Sequence, residues 1–147
     1  MILNLGCGSR PLAGAVNHDK IKHASFVDVV HDLNNYPWPW GDSSCEIIYL
    51  IDVLEHLDDV IKALEEVHRL LIGGGVAHIE VPSAGDIRSY RDPTHKHWFT
   101  RESFDYFIPG TFWEQKYGFY SPMRWKLQDY HTSPEGDNLY FILEKLI

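Results

Sequence analysis

Residues that could carry out chemistry lie in three short segments of the sequence. The first is a Gly-x-Gly turn, Gly6-Cys7-Gly8, directly after an apolar run. The second holds the neighbouring pair Glu55 and His56, and the third is the histidine-rich stretch 92–97. A glycine turn lets backbone N–H groups approach a ligand closely, whereas carboxyl and imidazole groups can act as general acids or bases. We therefore expect one binding loop and one group of proton-transfer candidates.

The glycine turn departs from the dinucleotide-binding fingerprint. That fingerprint has a third glycine three residues after the second, and Pro11 stands there instead. Its ribose-binding acid comes roughly twenty residues further on, whereas Asp19 follows sooner, at the end of the next apolar run. The pattern favours a cofactor that has a ribose but no pyrophosphate. A tight turn without a ligand is the alternative.

The histidine-rich stretch reads Asp92-Pro93-Thr94-His95-Lys96-His97. Two histidines and an aspartate at this spacing could ligate a metal, but no Cys-x-x-Cys or His-Glu-x-x-His pattern accompanies them. A substrate loop or a hydrogen-bonded turn is the favoured interpretation, so no metal site is predicted. The predicted catalytic residues are His95, as a general base or substrate contact, then His56 and Glu55. The alternative is that Glu55 has no catalytic role and lies in the first turn of a helix, where its negative charge interacts favourably with the helix dipole.

Short apolar runs alternating with helical segments predict a sheet with crossover connections. The strand candidates are bounded by Gly, Pro, Asn or Asp and span residues 2–5, 15–18, 27–31, 46–51, 76–81, 125–130 and 139–143. The clearest helix covers residues 59–71, with Asp58 or Asp59 as its cap and the glycines 73–75 at its end. A second helix is predicted from Thr100 to about Phe107. Strand, helix and strand in this order imply a largely parallel sheet.

Short links between the first three strands leave little room for helices on one face of this sheet. Six residues separate Gly8 from Ala15, whereas a helical crossover needs about ten to twelve. The run 76–81 alternates polar and apolar residues, although a strand buried on both faces should be apolar throughout. We expect a thinly covered, partly polar second face, shielded by a second subunit or by the aromatic-rich segment 112–125.

Several longer motifs follow one another along nearly the whole chain. The main ones are Leu3-Asn4-Leu5-Gly6-Cys7-Gly8, Val16-Asn17-His18-Asp19, Val30-His31-Asp32-Leu33 and Asp52-Val53-Leu54-Glu55-His56-Leu57. The set also includes a Pro-Trp-Pro-Trp loop followed by Asp-Ser-Ser-Cys-Glu, the predicted helix with the three glycines after it, and the stretches 92–95 and 99–104. In order and spacing this set resembles the class I S-adenosylmethionine-dependent methyltransferases, in particular the small type 11-like subgroup.

The resemblance implies S-adenosylmethionine as the cofactor. The implied cofactor-binding residues are Asn4, Gly6, Cys7, Gly8, Asp19, Asp32, Leu33, Ile51 and Asp52. In the family pattern the glycine turn contacts the methionine part, Asp19 binds the ribose hydroxyls, and Asp32 and Leu33 flank the adenine. Ile51 and Asp52 would line the methionine and substrate side. The family commonly has an acid where this chain has Asn4, so one negative charge near the cofactor's ammonium is missing.

Length, composition and charge argue against several classes of protein for this chain. The length of 147 residues fits a single domain, 1–147, with 44% hydrophobic residues to form its core. A net charge of −8 argues against a basic surface for bare nucleic acid. No apolar run is long enough for a membrane span, and no secretory signal is visible. Cys7 and Cys45 form no disulfide framework, so we expect both to be reduced in a cytoplasmic protein.

Together with the resemblance, these observations predict a Rossmann-like α/β fold, with a mostly parallel seven-stranded sheet, an antiparallel C-terminal hairpin and helices reduced on one face. The predicted function is methyl transfer from S-adenosylmethionine to an unidentified small-molecule or glycan acceptor, without nucleic acid or membrane partners. A homodimer through the thinly covered face is one expected assembly. Two alternatives stay open: a non-catalytic module that binds S-adenosylmethionine or assists assembly and, with less support, a histidine–metal hydrolase.

Overall fold

The computed structural model describes residues 1–147, which form one seven-stranded sheet and two α-helices. The strands are β1 (Ile2–Leu5), β2 (Val16–Asp19), β3 (Val29–Val30), β4 (Cys45–Ile51), β5 (Leu71–Pro82), β6 (Trp125–Thr132) and β7 (Asn138–Lys145). The α-helices are α1 (Val60–Leu70) and α2 (Phe112–Tyr117), and 3₁₀-helices lie at Leu54–His56, Ile87–Tyr90, Asp105–Phe107 and Gly118–Tyr120. Neither α-helix has the length and apolar character required to cross a lipid bilayer.

The sheet has the strand order β3-β2-β1-β4-β5-β7-β6. Strands β1 to β5 pair in parallel, whereas β7 runs antiparallel to both β5 and β6. The predicted α/β fold with its antiparallel C-terminal hairpin is therefore confirmed. The strand order reverses direction between β1 and β4, and ligands of such sheets bind outside the carboxyl ends of the strands at this switch point. The loops after β1, β2, β3 and β4 are thus the ones expected to form a site.

Helix α1 covers the buried face of the sheet. Asp59 caps it, because its carboxylate accepts the Lys62 N–H at 2.9 Å. Ala63, Leu64 and Val67 then point into the core, where they meet alternate residues of the central strands. Since side chains alternate along a strand, one set of strand residues is fully enclosed by α1 and the chain around it.

The predicted glycine end of α1 is wrong. The helix ends at Leu70, and Leu71 enters the sheet at once, where it pairs with Cys45 and is fully buried. Burial of Leu71 against β4 outweighs another helical turn. The glycines instead form an irregularity within β5, after which pairing resumes at Val76. Gly74 has a φ of +78°, a conformation that other residues rarely adopt.

The predicted second helix is also wrong for most of its length. Only Asp105–Phe107 is helical, as a short 3₁₀-helix. In the residues before it, side chains replace helical partners: Ser103 Oγ accepts the Thr100 N–H at 2.8 Å, and Thr100 Oγ1 accepts the Glu102 N–H at 3.3 Å. Such local bonds compete with helix formation. The α-helix of this region is α2, which the sequence pattern did not predict.

The second face of the sheet is thinly covered, as expected. Tyr49, His78 and Glu80 are half-buried, whereas their neighbours on the opposite face are fully buried. The segment 112–125 does not shield this face, because it packs beside α1: Ser121 Oγ donates to Glu65 at 2.6 Å. That part of the expectation is wrong. A second subunit on this face stays a prediction, which a monomer by light scattering at micromolar concentration would contradict.

Candidate functional site

The glycine turn after β1 is held by a buried histidine. Gly6 has a φ of +60°, and a Cβ added there would lie 2.7 Å from a methyl group of Val53, so only glycine fits. The Gly6 N–H donates to His18 Nδ1 at 3.2 Å, while His18 Nε2 donates to the His31 carbonyl at 2.8 Å. His18 must therefore be neutral. Burial lowers its pKa, which favours that state.

Asp19 ends β2 beside the turn. Its carboxylate accepts the Gly8 N–H at 2.8 Å and the Lys20 N–H at 2.6 Å, and His23 lies 3.3 Å away. Partial burial favours the neutral acid, but these hydrogen bonds outweigh it and lower the pKa of Asp19. The side chain is thus an ionised acceptor, and a carboxylate has capacity for further donors such as ribose hydroxyls.

Asp32 and Leu33 follow β3 and border the same space. Asp32 accepts the Asn34 N–H at 3.0 Å, and this bond lowers the pKa of the carboxyl group. Lys20 Nζ lies 3.4 Å from the other oxygen of Asp32. Trp38, which is 2% exposed, donates its indole N–H to the Leu33 carbonyl at 2.9 Å. A core aromatic side chain therefore fixes the loop that carries Leu33.

These strand ends surround a cavity of about 270 Å³, which we call the first cavity. Five of the predicted cofactor residues line it: Gly6, Asp19, Asp32, Leu33 and Asp52.

Four other predicted cofactor residues lie elsewhere. Asn4, Cys7 and Ile51 line a separate cavity of about 220 Å³ that adjoins Gly6. The Gly8 N–H donates a hydrogen bond to the Asp19 carboxylate. The structure thus divides the predicted set between two sides of the glycine turn, and the cofactor roles stay predictions.

Asp52 stands at the carboxyl end of β4. Its φ of 56° is a left-handed conformation, which costs about 1 kcal/mol or more for a residue with a side chain. The Asp52 N–H donates to the Glu80 carbonyl at 3.0 Å, and its carboxylate accepts from Arg10 at 3.2 Å. Strain of this kind concentrates at functional sites.

A second cavity of about 340 Å³ adjoins the first, and Asp52 and His56 line both. Here Glu55 is 1% exposed, and its Oε2 atom has no hydrogen-bond partner. Burial, together with the negative charges of Asp52 and Glu80, raises the pKa of Glu55 to about 8. A buried carboxyl group without a partner is costly, and perturbed acids of this kind are typical of functional sites.

His56 and His95 meet beside Glu55, with ring centroids 4.8 Å apart. His95 Nδ1 donates to the Ser89 carbonyl at 2.8 Å. Thr94 Oγ1 donates its proton to Asp92 at 2.7 Å and so accepts from His56 Nδ1 at 3.0 Å. In the tautomer that these bonds require, with a proton on Nδ1, each ring has its second nitrogen, Nε2, available, and Nε2 of His95 lies 3.6 Å from Asp92 Oδ2. Burial, and then the neighbouring His95, lower the pKa of His56.

The three predicted catalytic residues are thus brought together, but the histidine pair differs from the one that the sequence suggested. His97 lies outside the group, because its Nε2 donates to the Leu57 carbonyl at 2.8 Å. His95 meets His56, which is 39 positions earlier in the chain. Sequence spacing alone does not indicate such a pair, since it depends on how two loops pack.

Sequence reasoning missed His18 as a support of the turn and Ser89 as a support of His95. A signal existed for His18: it is the middle of three consecutive polar residues, Asn17, His18 and Asp19, at the end of a predicted strand. No comparable signal marks Ser89, which acts through its carbonyl group.

Comparison with known families bears on this arrangement. The family model described as a methyltransferase domain, of the type 11 kind, matches residues 13–79. The match covers Asp19, Asp32, Asp52, Glu55 and His56. The resemblance to class I, type 11 methyltransferases is confirmed. No curated protein sequence matches the chain.

Solved methyltransferase structures share the fold at low identity. A chain in the complex of the Haloferax volcanii Trm112 methyltransferase activator with a methyltransferase has a TM-score of 0.70 and 14% identity, over 99% of this chain and 82% of that one. S-adenosylmethionine-dependent methyltransferases from Thermotoga maritima and Archaeoglobus fulgidus both have TM-scores of 0.68, with 14% and 17% identity. The alignments cover 98% of this chain and 81% and 85% of the others. The family and these neighbours indicate S-adenosylmethionine as the cofactor.

Proposed function

We propose that this methyltransferase domain transfers the methyl group of S-adenosylmethionine to a small-molecule or glycan acceptor bound in the second cavity. The observation that carries the proposal is the boundary between the two cavities. Asp52 and His56 line both, so a cofactor on one side and an acceptor on the other would meet there. Methyl transfer needs this in-line approach of two bound molecules more than it needs any further activation by the protein.

The donor set of the first cavity fits the cofactor. Asp19 and Asp32 are ionised acceptors at neighbouring strand ends, suited to ribose hydroxyls and to the adenine amino group. Leu33 offers an apolar surface for the adenine ring. When bound, S-adenosylmethionine supplies a methyl group already activated by its positively charged sulfur. The chain's own task is to hold and orient it, and the restriction of Gly6 to glycine keeps the backbone open for that approach.

Glu55, His56 and His95 are proposed to act on the acceptor. The free Nε2 atoms of the two histidines can accept a hydrogen bond from a hydroxyl, thiol or amine and hold its proton. His56 is the better placed of the two, since it also borders the first cavity.

An exposed pair of aromatic side chains supports a glycan or another flat acceptor. Tyr90 and Trp98 stack with centroids 5.4 Å apart, and they are 53% and 45% exposed. The Trp98 indole N–H donates at 3.1 Å to the same Ser89 carbonyl that holds His95. Aromatic faces of this kind stack on sugars and planar rings. The platform thus lies next to the second cavity, where an acceptor would enter.

Calorimetry with S-adenosylmethionine and S-adenosylhomocysteine, followed by a transfer assay, tests the proposal. The assay measures S-adenosylhomocysteine formed with panels of saccharides, phenols and thiols. We expect cofactor binding, and turnover with one acceptor class that falls in the Trp98→Ala and His95→Ala variants but not in His131→Ala. Absence of heat with either cofactor form would overturn the proposal. Binding without transfer to any acceptor would favour the non-catalytic module.

A further inference from the structure

The group formed by Glu55, His56 and His95 has a second property besides its position. Each residue offers one ligand atom, and these atoms all lie within 4.8 Å of one another. They come from two segments that are far apart in the sequence, the 3₁₀-helix Leu54–His56 after β4 and the loop after the 3₁₀-helix Ile87–Tyr90. One carboxylate and two imidazoles are a donor set that transition-metal sites commonly use.

The two imidazoles are held as metal ligands usually are. In most metal sites a ligating histidine donates its other ring N–H to a carbonyl or carboxylate, which fixes the ring and leaves the opposite nitrogen free. His95 does this towards the Ser89 carbonyl, and His56 does it through Thr94 towards Asp92. His56 Nε2 lies 3.9 Å from Glu55 Oε1, and His95 Nε2 lies 3.6 Å from Asp92 Oδ2, which could orient or share a bound cation.

Glu55 supplies an independent observation. Its side chain is 1% exposed and lines the second cavity, yet Oε2 has no protein partner. Folding leaves such an atom unpaired only at a cost. The neighbouring carboxylates Asp52 and Asp92 offer it no donor, and the cationic side chains that line the same cavity, Arg88 and Arg91, make no hydrogen bond to it. A bound cation would provide the missing partner.

We propose that Glu55, His56 Nε2 and His95 Nε2 bind one divalent transition-metal ion, for which zinc is the best match. Two histidines and one glutamate with an open fourth position are a known zinc arrangement. Tetrahedral zinc with bonds of about 2.0–2.1 Å needs ligand atoms about 3.3 Å apart. The three atoms now lie within 4.8 Å of one another, so the site would have to contract on binding, and His56, at 36% side-chain exposure, has room to move.

A metal at this place would change how the acceptor is activated. The open position would take the acceptor's oxygen or sulfur, and a metal-bound hydroxyl or thiol releases its proton to solvent more readily than the free group. The imidazoles would then be ligands and not bases. This role rests on the proposed function, whereas binding of the ion does not.

Metal binding is tested on the full chain, stripped with a chelator and titrated with zinc chloride by calorimetry. We expect one ion per chain in the wild type, and an affinity at least ~100-fold lower in His95→Ala and Glu55→Gln. Replacing Thr94 with Val removes only the support of His56 and is expected to lower the affinity ~10-fold, at the low end of the range for residues that orient metal ligands. Titration with Co²⁺ gives a second readout, since its visible absorption intensifies in a tetrahedral protein site.

A second group of potential ligands, Cys7, Asp19 and His23, provides the matched control. His23→Ala should leave the binding of zinc unchanged if the proposed site is correct. S-adenosylhomocysteine binding is measured for every variant, which shows that each is folded and separates this inference from the proposed function. The inference is overturned if zinc fails to bind the wild type, or if binding persists in His95→Ala and Glu55→Gln while S-adenosylhomocysteine still binds. Loss of zinc in His23→Ala alone would also contradict it.

Discussion

The two adjoining cavities are built in different ways. The first is formed by the ends of β1, β2, β3 and β4, and its shape depends on backbone conformation, as at Gly6, and on buried supports such as His18 and Trp38. The second is formed by loops, and its walls are side chains that carry charge or can ligate, such as Glu55, His95 and Arg88. We therefore expect the parallel sheet to determine where the proposed cofactor binds and the loops to determine the chemistry of the acceptor.

This difference predicts which property of the protein each substitution changes. Changes at the strand ends should alter cofactor affinity, whereas changes in the loops should alter chemistry or metal binding and leave cofactor affinity intact. Asp52 and His56 belong to both cavities and should affect both.

The largest expected effect on cofactor affinity is at the glycine turn. Gly6→Val places a side chain on the methyl group of Val53 and requires a φ of +60° from a β-branched residue. We expect the affinity for S-adenosylhomocysteine to fall at least ~100-fold in calorimetry, a loss of about 2.7 kcal/mol or more. Gly41→Ala is the control, because nothing lies within 4 Å of its added Cβ and its φ is ordinary. Wild-type affinity in Gly6→Val would contradict the assignment of the turn.

Among the residues around the first cavity, Trp38 should contribute most to the stability of the fold. Its ring is almost fully buried and its N–H fixes the Leu33 loop. Trp38→Ala is expected to lower the free energy of unfolding by about 3–5 kcal/mol, the usual cost of removing a buried aromatic side chain. Urea denaturation measures this. A change below about 1 kcal/mol would show that the core does not support the first cavity.

Asp19 should matter for affinity more than for stability. Asp19→Asn keeps one acceptor oxygen but loses the charge and part of the bonding to Gly8 and Lys20. We expect the affinity for S-adenosylhomocysteine to fall ~10-fold, about 1.4 kcal/mol. Asp42→Asn serves as the control, because this exposed residue pairs with Arg69 away from both cavities. Equal affinities of Asp19→Asn and wild type would remove Asp19 from the cofactor site.

Acid should weaken the first cavity through His18. Its pKa in the folded state is lowered from 6.5, so the unfolded chain takes up a proton first as the pH falls, and stability decreases below about pH 6.5. Protonated His18 also cannot accept the Gly6 N–H, and the nearby carboxylate of Asp19 and ring of His31 do not replace that bond. We expect S-adenosylhomocysteine affinity to be constant above pH 7 and to fall towards pH 5.

The His18→Asn variant isolates this titration. Asn can still accept a hydrogen bond but has no proton to gain in this range. The variant should therefore lose most of the fall in affinity between pH 7 and pH 5. If it keeps the full pH dependence of the wild type, another group is responsible.

The smallest effect is expected at Arg88 in the second cavity. Arg88 pairs with Asp86, Glu135 and Asp137 at the surface, and surface ion pairs contribute little to stability. Arg88→Ala should shift the melting temperature far less than Trp38→Ala does and leave S-adenosylhomocysteine affinity unchanged. A shift as large as that of Trp38→Ala would show that ion pairs in the loops stabilise the fold as much as the core does. That result would contradict the difference between the two cavities.

Several features could be predicted from local sequence. The bounds of β1 agree fully, and the cap at Asp59 is confirmed, because strand alternation and helix capping depend on neighbouring residues. The glycine turn and the acids after β2 and β3 were recognisable for the same reason. The errors at residues 73–75 and 100–107 arose where tertiary pairing with β4 or side-chain bonds overrode local propensity.

By itself, the sequence determined the α/β class and the carboxylates at the strand ends, since these follow from short-range patterns of apolar and turn-forming residues. Only the tertiary structure decided that His95 meets His56 and Glu55, that His97 does not, and that the aromatic segment 112–125 packs beside α1. Such contacts join residues many positions apart. Their geometry depends on how the loops pack against the sheet, which local sequence patterns do not determine.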